Sequence, residues 1–539
     1  MRYLNTILAA AAMAGTAVGV NAQSAIDAYN MSPTELRGTA RFVAMGGAFT
    51  SLGGDLSTMT QNPAGIGVYR HNDVGLSFGI SPRSYKSQTA TETSTVNQTK
   101  VDFNNIGYIG AYQLNGAMRT FNWGFSYNRL ASFERTINGY NYPTSSSLTN
   151  YIASFTNGID SDDMLFNNSA DYNPYLDSDC DWLSILAYNS AMINNNGSNT
   201  SYTGLHNSGT NGDAAYSVKE SGYVDEYNID FGGNVLDVLY WGVGVGIYDV
   251  SFTQLSYYGE SMEDGLIYTG RGDNLSYGNA GFDLYNSKYI TGSGANLKLG
   301  LIVHPTDVLR FGIAVHTPTW MRYTSSGYGE VDYNYTENGT EDTYSGNEYT
   351  DNFEYDWKLN TPWRFMVGAS AVIGRKAIVS VDYERVAYND MKTSYRAYNN
   401  YWGEGDYVSD DKVNADIKDY FKASNIIRAG IEYRVTPRFS VRAGYNYMTT
   451  NVRDAAADNR MEIATSGTTT GYTFDKDTQN ITLGLGYRYK AWYIDLAYQH
   501  TDRKSTYHAY TPFENVTETP QASVKTRLNN IVISTGFRF

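Results

Sequence analysis

Few residues in this sequence are spaced for covalent chemistry. Its six histidines, His71, His206, His304, His316, His500 and His508, form no His-x-x-x-His pair, and no Gly-x-Ser-x-Gly elbow occurs. A dispersed Ser and His can serve a hydrolase on an unrelated scaffold, but no spacing selects such a pair, so neither enzyme activity nor a catalytic residue is expected. His71 or His316 would offer an axial ligand for haem uptake; each is more simply a polar residue of the scaffold. Cys180 is the only cysteine, which leaves no intramolecular disulfide and no Cys-rich metal site. The densest polar group is Ser326–Asp356, with nine acidic residues, six tyrosines and no Lys or Arg. Its carboxylates are hard oxygen ligands of the kind that divalent cations take, yet a solvated hairpin accounts for them equally well. No metal and no cofactor is expected. A greasy stripe, Trp182, Ile185, Leu186, Asn189 and Ile193, follows near-helical spacing behind the capping residue Asp181. Trp182 and Leu186 are the candidate collectors of a hydrophobic ligand; the alternative is that the stripe is the core of its own loop.

What must position such residues is legible from both ends of the chain. Arg2 precedes an apolar stretch from Ile7 to Val20, and Val20-Asn21-Ala22 comes just before Gln23. This reads as a secretory signal cut after Ala22, and no lipidation cysteine follows it. Removing 1–22 takes away one charge, Arg2, so 517 residues remain with a formal balance that moves from -15 to -16. That acidic balance excludes nucleic acid as a partner, since binding it needs a basic surface. With 49 tyrosines, 52 glycines and a mean hydropathy of -0.43, the chain has no further run of about 20 apolar residues for a membrane helix. A transmembrane barrel fits instead, because alternation dilutes its apolar signal and aromatic girdles mark its interfaces.

The alternation is explicit. In the final run Ile531, Ile533, Thr535, Phe537 and Phe539 alternate with Asn530, Val532, Ser534, Gly536 and Arg538. A strand ending this way makes sense if it pairs with the first strand and closes a barrel; Phe537 and Phe539 then form the aromatic signal read by the barrel assembly machinery. Similar rows recur near 72–83, 101–115, 120–137, 222–235, 240–258, 284–304, 309–325, 353–373, 377–394, 424–435, 438–449, 477–489, 492–506 and 524–539. Short turns alternate strictly with long polar loops, which predicts fourteen antiparallel strands with short periplasmic turns and long extracellular loops. Charged residues share one face, so Arg310, Arg364, Arg428, Arg434, Arg442, Arg488 and Arg538 are expected inside, with Asp230, Asp382, Glu384, Glu432 and Asp495. They would pair across strands or tie a plug to the wall.

Residues 23–71 show no alternation. They carry Arg37-Gly38-Thr39-Ala40-Arg41, Met45-Gly46-Gly47-Ala48, Gly53-Gly54-Asp55 and Gln61-Asn62-Pro63-Ala64-Gly65, whose small residues suit packing in a confined lumen. The Arg41 to Ala48 stretch, Asp55 and Asn62-Pro63-Ala64 before the first strand, with fourteen strands and the terminal Phe539, resemble the FadL-type outer-membrane transporters of long-chain fatty acids and other hydrophobic compounds. The resemblance implies that 23–71 is a hatch inside a barrel formed by 72–539. It also implies that ligand passes from an external groove to a site by the hatch, then leaves sideways through a kink in the third strand. Arg41, Gly47, Asp55, Asn62, Pro63 and Ala64 would be the hatch and gating residues, with Asn62, Pro63 and Ala64 near a kink within 120–137. The acidic Ser326–Asp356 loop departs from the family's apolar groove. The expected protein is an all-β, monomeric outer-membrane barrel of a Gram-negative-type bacterium, with membrane lipid and a hydrophobic small molecule as partners and passive transport as its function. The competing classes are a general diffusion porin and a surface adhesin built on the long loops, with haem-type uptake behind them.

Overall fold

The computed structural model describes residues 23–539 apart from 167–171, 269–274, 341–342, 375, 400–402, 515 and 517. The signal segment, Glu341, Asp342 and Arg375 lie outside the described residues. An alternating strand has one face that wants lipid or core and two hydrogen-bonding edges that want partners, and a closed sheet satisfies all of these at once. Among the described residues fourteen strands do so. They are β1 (Asp73–Gln88), β2 (Thr93–Gln113), β3 (Met118–Ser132 continued by Arg135–Thr144), β4 (Asn211–Val235), β5 (Leu239–Tyr268), β6 (Leu275–Val303) and β7 (Leu309–His316 continued by Trp320–Glu337). Then come β8 (Phe353–Asn360 continued by Arg364–Ile373), β9 (Ala377–Val386 continued by Lys392–Asn399), β10 (Ser424–Arg434), β11 (Phe439–Met448), β12 (Tyr472–Tyr489), β13 (Trp492–His508) and β14 (Gln521–Arg538). Each is antiparallel to its neighbours, and β14 closes on β1 in the register Asp73↔Arg538, Val74↔Phe537 and Ile80↔Ile531. Several strands run well past the predicted limits on the extracellular side: 211–221, 259–268 and 326–337, expected as loop, extend the sheet above the membrane.

Outward rows are apolar: Ile481, Leu483 and Leu485 on β12, Ile494 and Leu496 on β13, Ile531 and Ile533 on β14 are all exposed. Arg428, Glu432, Arg442 and Asp495 are buried inside. The reason is energetic, since an arginine or lysine facing hydrocarbon at the midplane costs about 2–4 kcal/mol. Arg434 and Arg488 keep the inward phase of their strands but end them on the rim, exposed to solvent, with Arg488 opposite Tyr493 and near Arg41, Arg538 and Asp495.

The hatch is a chain of short capped turns. Ser24 caps α1 (Ala25–Asn30) in a reciprocal box with Asp27, and Thr39 caps α2 (Ala40–Ala44). Asp55 caps a 3-10 turn at Leu56–Thr60, and Asn62 caps a second at Pro63–Val68, whose proline occupies the first turn. Helices this short do not stand alone; the wall holds them. Inward glycines let the two backbones meet: a Cβ at Gly300 would lie 1.8 Å from Asn62 Oδ1, and one at Gly242 would lie 2.2 Å from the Pro63 carbonyl carbon. α1 sits higher, its Ala25, Ile26 and Ala28 sharing a core with Val413 and Ile417 of a loop helix, α5, that spans Asp411–Tyr420.

Above the membrane the long loops build a cap with its own core. It contains α3 (Leu148–Thr156) and α4 (Trp182–Asn189), packed with Tyr258, Phe282, Val331, Tyr335 and Tyr510. This accounts for part of the tyrosine content of Ser326–Asp356: Tyr335 is buried, and its hydroxyl donates to the Ser190 carbonyl at 3.0 Å. Among the described residues no group of three or more His, Cys, Asp or Glu is arranged to hold a metal ion.

One cap contact is pH-sensitive. Glu260 lies thirteen residues beyond Ile247, the last apolar lipid-facing residue of β5 below Asp249, or roughly 40 Å along the strand. Its buried carboxyl receives the Leu148 N–H at 2.9 Å, the Tyr258 hydroxyl at 2.5 Å and the Ser147 hydroxyl, and so anchors the start of α3. Burial pushes it up to about 7 against the opposing pull of these donors. The folded cap therefore holds a proton that the opened cap releases. The contribution is full below the ordinary carboxylate range and is lost as pH rises from about 4.5 to 7, on the order of 3 kcal/mol in all. Hydrogen exchange in 148–156, corrected for intrinsic rate, is expected to show stronger protection at pH 5 than at pH 8, with the difference abolished in Glu260→Gln.

Candidate functional site

The six hatch residues singled out from sequence form the frame of the plug. Arg41 on α2 pairs through Nε with Glu432 of β10 at 2.8 Å and donates through Nη1 to the Gly54 carbonyl at 3.2 Å. Glu432 also takes Arg442 Nε of β11 at 2.7 Å, and Arg442 Nη1 reaches Asp495 of β13 at 2.6 Å, so one ladder of charge ties α2 to the wall. Asp55 accepts the Thr39 hydroxyl at 2.7 Å and the Ser57 N–H at 2.9 Å. Gly47, at φ +75°, turns its carbonyl to Gln61 Nε2 at 3.0 Å. Asn62 Nδ2 donates to Thr50 O at 2.6 Å and to Ile313 O of β7 at 3.3 Å, while its Oδ1 accepts the Ala64 N–H at 3.0 Å. Pro63 and Ala64 press on Gly242 of β5. Thr50 N–H completes the attachment by donating to buried Asp382 of β9 at 2.8 Å.

Over this floor lies a cavity with about 1250 Å³ of space between the atoms, part of it open to solvent. Phe42, Thr60 and Gln61 form its floor, and the strap Pro33–Arg37 runs along one side. The barrel wall adds Arg428, Asn446, Asn480, Gln499, Arg503 and Asn530 from β10 to β14, and Leu130 and Ser132 from β3.

Beside the cavity the wall itself is interrupted. β2 and β3 pair only from Asn105↔Asn128 down to Gln113↔Thr120. Above that point β2 pairs with β1 alone and β3 with β4 alone, and β3 breaks at Phe133 and Glu134. Phe133 N–H is taken instead by the Gly222 carbonyl at 3.1 Å, and Gly222 holds φ +130° with Ser251 O only 2.0 Å from where a Cβ would be. The resulting window is crossed by side chains. Glu134 pairs with Lys100, and its carbonyl receives the Tyr85 hydroxyl and, at 3.4 Å, Arg83 Nη1. Arg37 Nη1 reaches Asp102 Oδ2 at 3.1 Å. On the outer side Val101, Phe78 and Ile80 are exposed, so the window opens at the level of the lipid-facing rows.

The break lies inside the predicted range 120–137, but Asn62, Pro63 and Ala64 are not beside it. Their contacts are with β5, β6 and β7, because the wall glycines that admit their backbone are there; the strap Pro33–Arg37 is the part of the hatch that meets the window. Trp182 and Leu186 do not present a collecting surface. Both are buried in the cap, where Trp182 packs edge-on to Tyr175 and Phe353. His316 is likewise enclosed, its Nε2 2.9 Å from the Gln61 carbonyl. Phe537 and Phe539 stack at the end of β14, with Trp492 against Phe537. Sequence reading missed Arg83, Glu134 and the strap. The available signal was a phase break in β3: after Phe121, Trp123, Phe125 and Tyr127 alternate, Arg129 takes the apolar row's next place and Leu130 falls out of step.

Comparison with known proteins places these features in context. An OmpA-like transmembrane domain model matches residues 388–491, the stretch that holds β10, β11 and β12. No curated protein matches the chain. Among solved structures, the Pseudomonas putida toluene transporter TodX aligns at 15% identity and a TM-score of 0.48, covering 94% of this chain and 99% of that one. The Ralstonia pickettii toluene transporter TbuX aligns at 16% identity and 0.45 with the same coverage. A FadL homologue of Pseudomonas aeruginosa aligns at 11% and 0.47, over 94% and 98% of the two chains. By its own geometry the chain is a hatch-plugged, fourteen-stranded transmembrane β-barrel of the outer-membrane type.

Proposed function

We propose that the protein passes hydrophobic small molecules, long-chain fatty acids or similar compounds, across the outer membrane by diffusion, through the cavity and out sideways by the window between β2 and β3. One observation carries this reading: the straight path down the lumen is occupied by the hatch, while the wall next to the cavity lacks its backbone ladder. A missing ladder exposes polar backbone at the membrane, which is tolerated only where protein or a cavity supplies partners. Tyr85 and Arg83 supply partners for the Glu134 carbonyl here while the Lys100–Glu134 ion pair spans the gap, and unlike a ladder these contacts can part and re-form without unfolding the sheet. The process is passive and non-catalytic, and the barrel acts as a monomer.

Tethering the window tests the route. Lys100→Cys with Glu134→Cys, in a Cys180→Ala background, places one thiol on each side of the gap that the present ion pair crosses. Bridging them with a bifunctional thiol reagent whose spacer contains a disulfide is expected to bring uptake of a labelled long-chain fatty acid to background, and reduction of the spacer to restore it. Uptake that continues unchanged through a locked window would place the route through the hatch instead and favour a porin-like channel.

A further inference from the structure

Where the strands rise above the lipid belt their outward rows carry charge, and its sign changes around the barrel. On β6 and β7 the row is acidic, with Asp283 opposite Asp332. On β13, β14 and β1 it is basic. Lys504 stands opposite Lys525 across β13 and β14, and Lys525 stands opposite Lys86 across β14 and β1, so three lysines form one row over three adjacent strands. Arg527 lies on the same outward face of β14, nearer the belt. Lys86, Lys504 and Arg527 are exposed, and among the described residues none of them forms an ion pair. The stretches 82–88, 500–506 and 523–529 contain a single acid, Asp502, which Lys525 engages at 2.9 Å. Like charges directly opposite on neighbouring strands repel, and an anion standing over the row relieves that repulsion. The height of the row identifies the anion. Ile80, Ile531 and Tyr498 are exposed toward lipid. Lys86, Lys525 and Lys504 each lie six positions beyond one of them. That is about 20 Å along a strand, or about 15 Å above the hydrocarbon once the strand tilt is allowed for. At that height an outer leaflet presents the headgroups of its own lipids, and the row faces sideways toward them.

We infer that Lys86, Lys504, Lys525 and Arg527 form a docking face for an anionic glycolipid of the outer leaflet, whose sugar-borne phosphates lie across the row while its acyl chains run down the wall below. A lipid fits better than a soluble phosphate because the basic row continues into apolar rows on the same three strands, through Phe78 and Ile80, Ile531 and Ile533, and Leu496 and Tyr498, all exposed. The cavity is lined from the other face of these strands, by Arg83, Arg503 and Thr526. Occupancy of the docking face is therefore independent of what the cavity holds.

The test uses the full-length folded protein in a neutral detergent containing EDTA, mixed with purified lipopolysaccharide that carries phosphates on its lipid A and core, or with the same material after enzymatic dephosphorylation. Bound lipid is read by native mass spectrometry. The phosphorylated form is expected to bind about tenfold or more tighter than the dephosphorylated one. Lys86→Gln with Lys504→Gln and Lys525→Gln should bring the two forms to within about twofold of each other. Lys219→Gln, which removes an exposed lysine of β4 away from the row, should keep the preference. Should the triple variant give no heat-modifiable folded band, the wild-type comparison of the two lipids decides alone. Binding of both forms within about twofold in the wild type, or a loss in Lys219→Gln as large as in the triple variant, overturns the docking face. Retention only when magnesium replaces EDTA also overturns it, because the lipid would then be held on the acidic cap through a divalent bridge. Inorganic phosphate at the lipid's own concentration should displace nothing; full displacement by it would show a site for free anion and not for lipid.

Discussion

Deleting residues 24–66 is expected to turn a poorly conducting barrel into an open ion channel while abolishing selective uptake. The lumen of a fourteen-stranded barrel is too wide for wall side chains to fill. Here the space is taken by α1, α2, the two 3-10 turns and the strap, whose Met45, Ala48, Phe49 and Met59 have no exposed surface. The sheet does not depend on them for its ladder, since β1 to β14 pair with one another around the full circle. Loss of the hatch leaves Asp382 without the Thr50 N–H and Glu432 without Arg41, but water entering the emptied lumen can solvate both. Planar-bilayer recording should therefore show single-channel conductance rising by about tenfold or more. Uptake falls because the cavity loses Phe42, Thr60, Gln61 and the whole strap. An intact protein that already conducts like an open porin would contradict the plug.

A pair of neighbouring substitutions separates wall from plug. Leu483 of β12 is 55% exposed toward lipid, whereas a Cβ on Gly484 would lie 2.4 Å from the Ala44 Cβ of α2. Leu483→Arg puts a charge into the hydrocarbon and should destabilise the barrel by about 2–4 kcal/mol near the midplane. Gly484→Arg puts the same side chain into the lumen, where it displaces α2 and breaks its contact with β12. The expected result is a folded, heat-modifiable barrel with raised conductance for Gly484→Arg and reduced folding yield for Leu483→Arg. Equal loss of folding in both would overturn the inward assignment of the charged rows.

How far sequence alone reaches is clear from particular elements. The fourteen strands, the inward placement of Arg428, Glu432, Arg442 and Asp495, and the closure by β14 follow from a period-two pattern that lipid enforces residue by residue, so a single chain displays it. The hatch was legible as the segment where that pattern stops. Its Asn62-Pro63 turn was legible locally, whereas the caps at Thr39 and Asp55 were recognised only in the folded hatch. The limits of this reading appear where the membrane no longer selects each position. Strand lengths above the belt, the rim positions of Arg434 and Arg488, and the burial of Trp182 and Leu186 depend on which loops pack together in the cap.

The cavity and the window were decided by tertiary structure alone. Arg37, Arg83, Arg428 and Arg503 are separated by tens to hundreds of positions and become neighbours only when the hatch is threaded through the closed sheet. Which arginine shares which carboxylate follows from strand register, set by pairing over many residues. The gap between β2 and β3 likewise arises from a mismatch between where β3 breaks, at Phe133 and Glu134, and where β2 continues upward beside β1. A local alternation pattern records which way a side chain faces, but it holds no information about which distant strand stands opposite, and it is that opposition which makes a site.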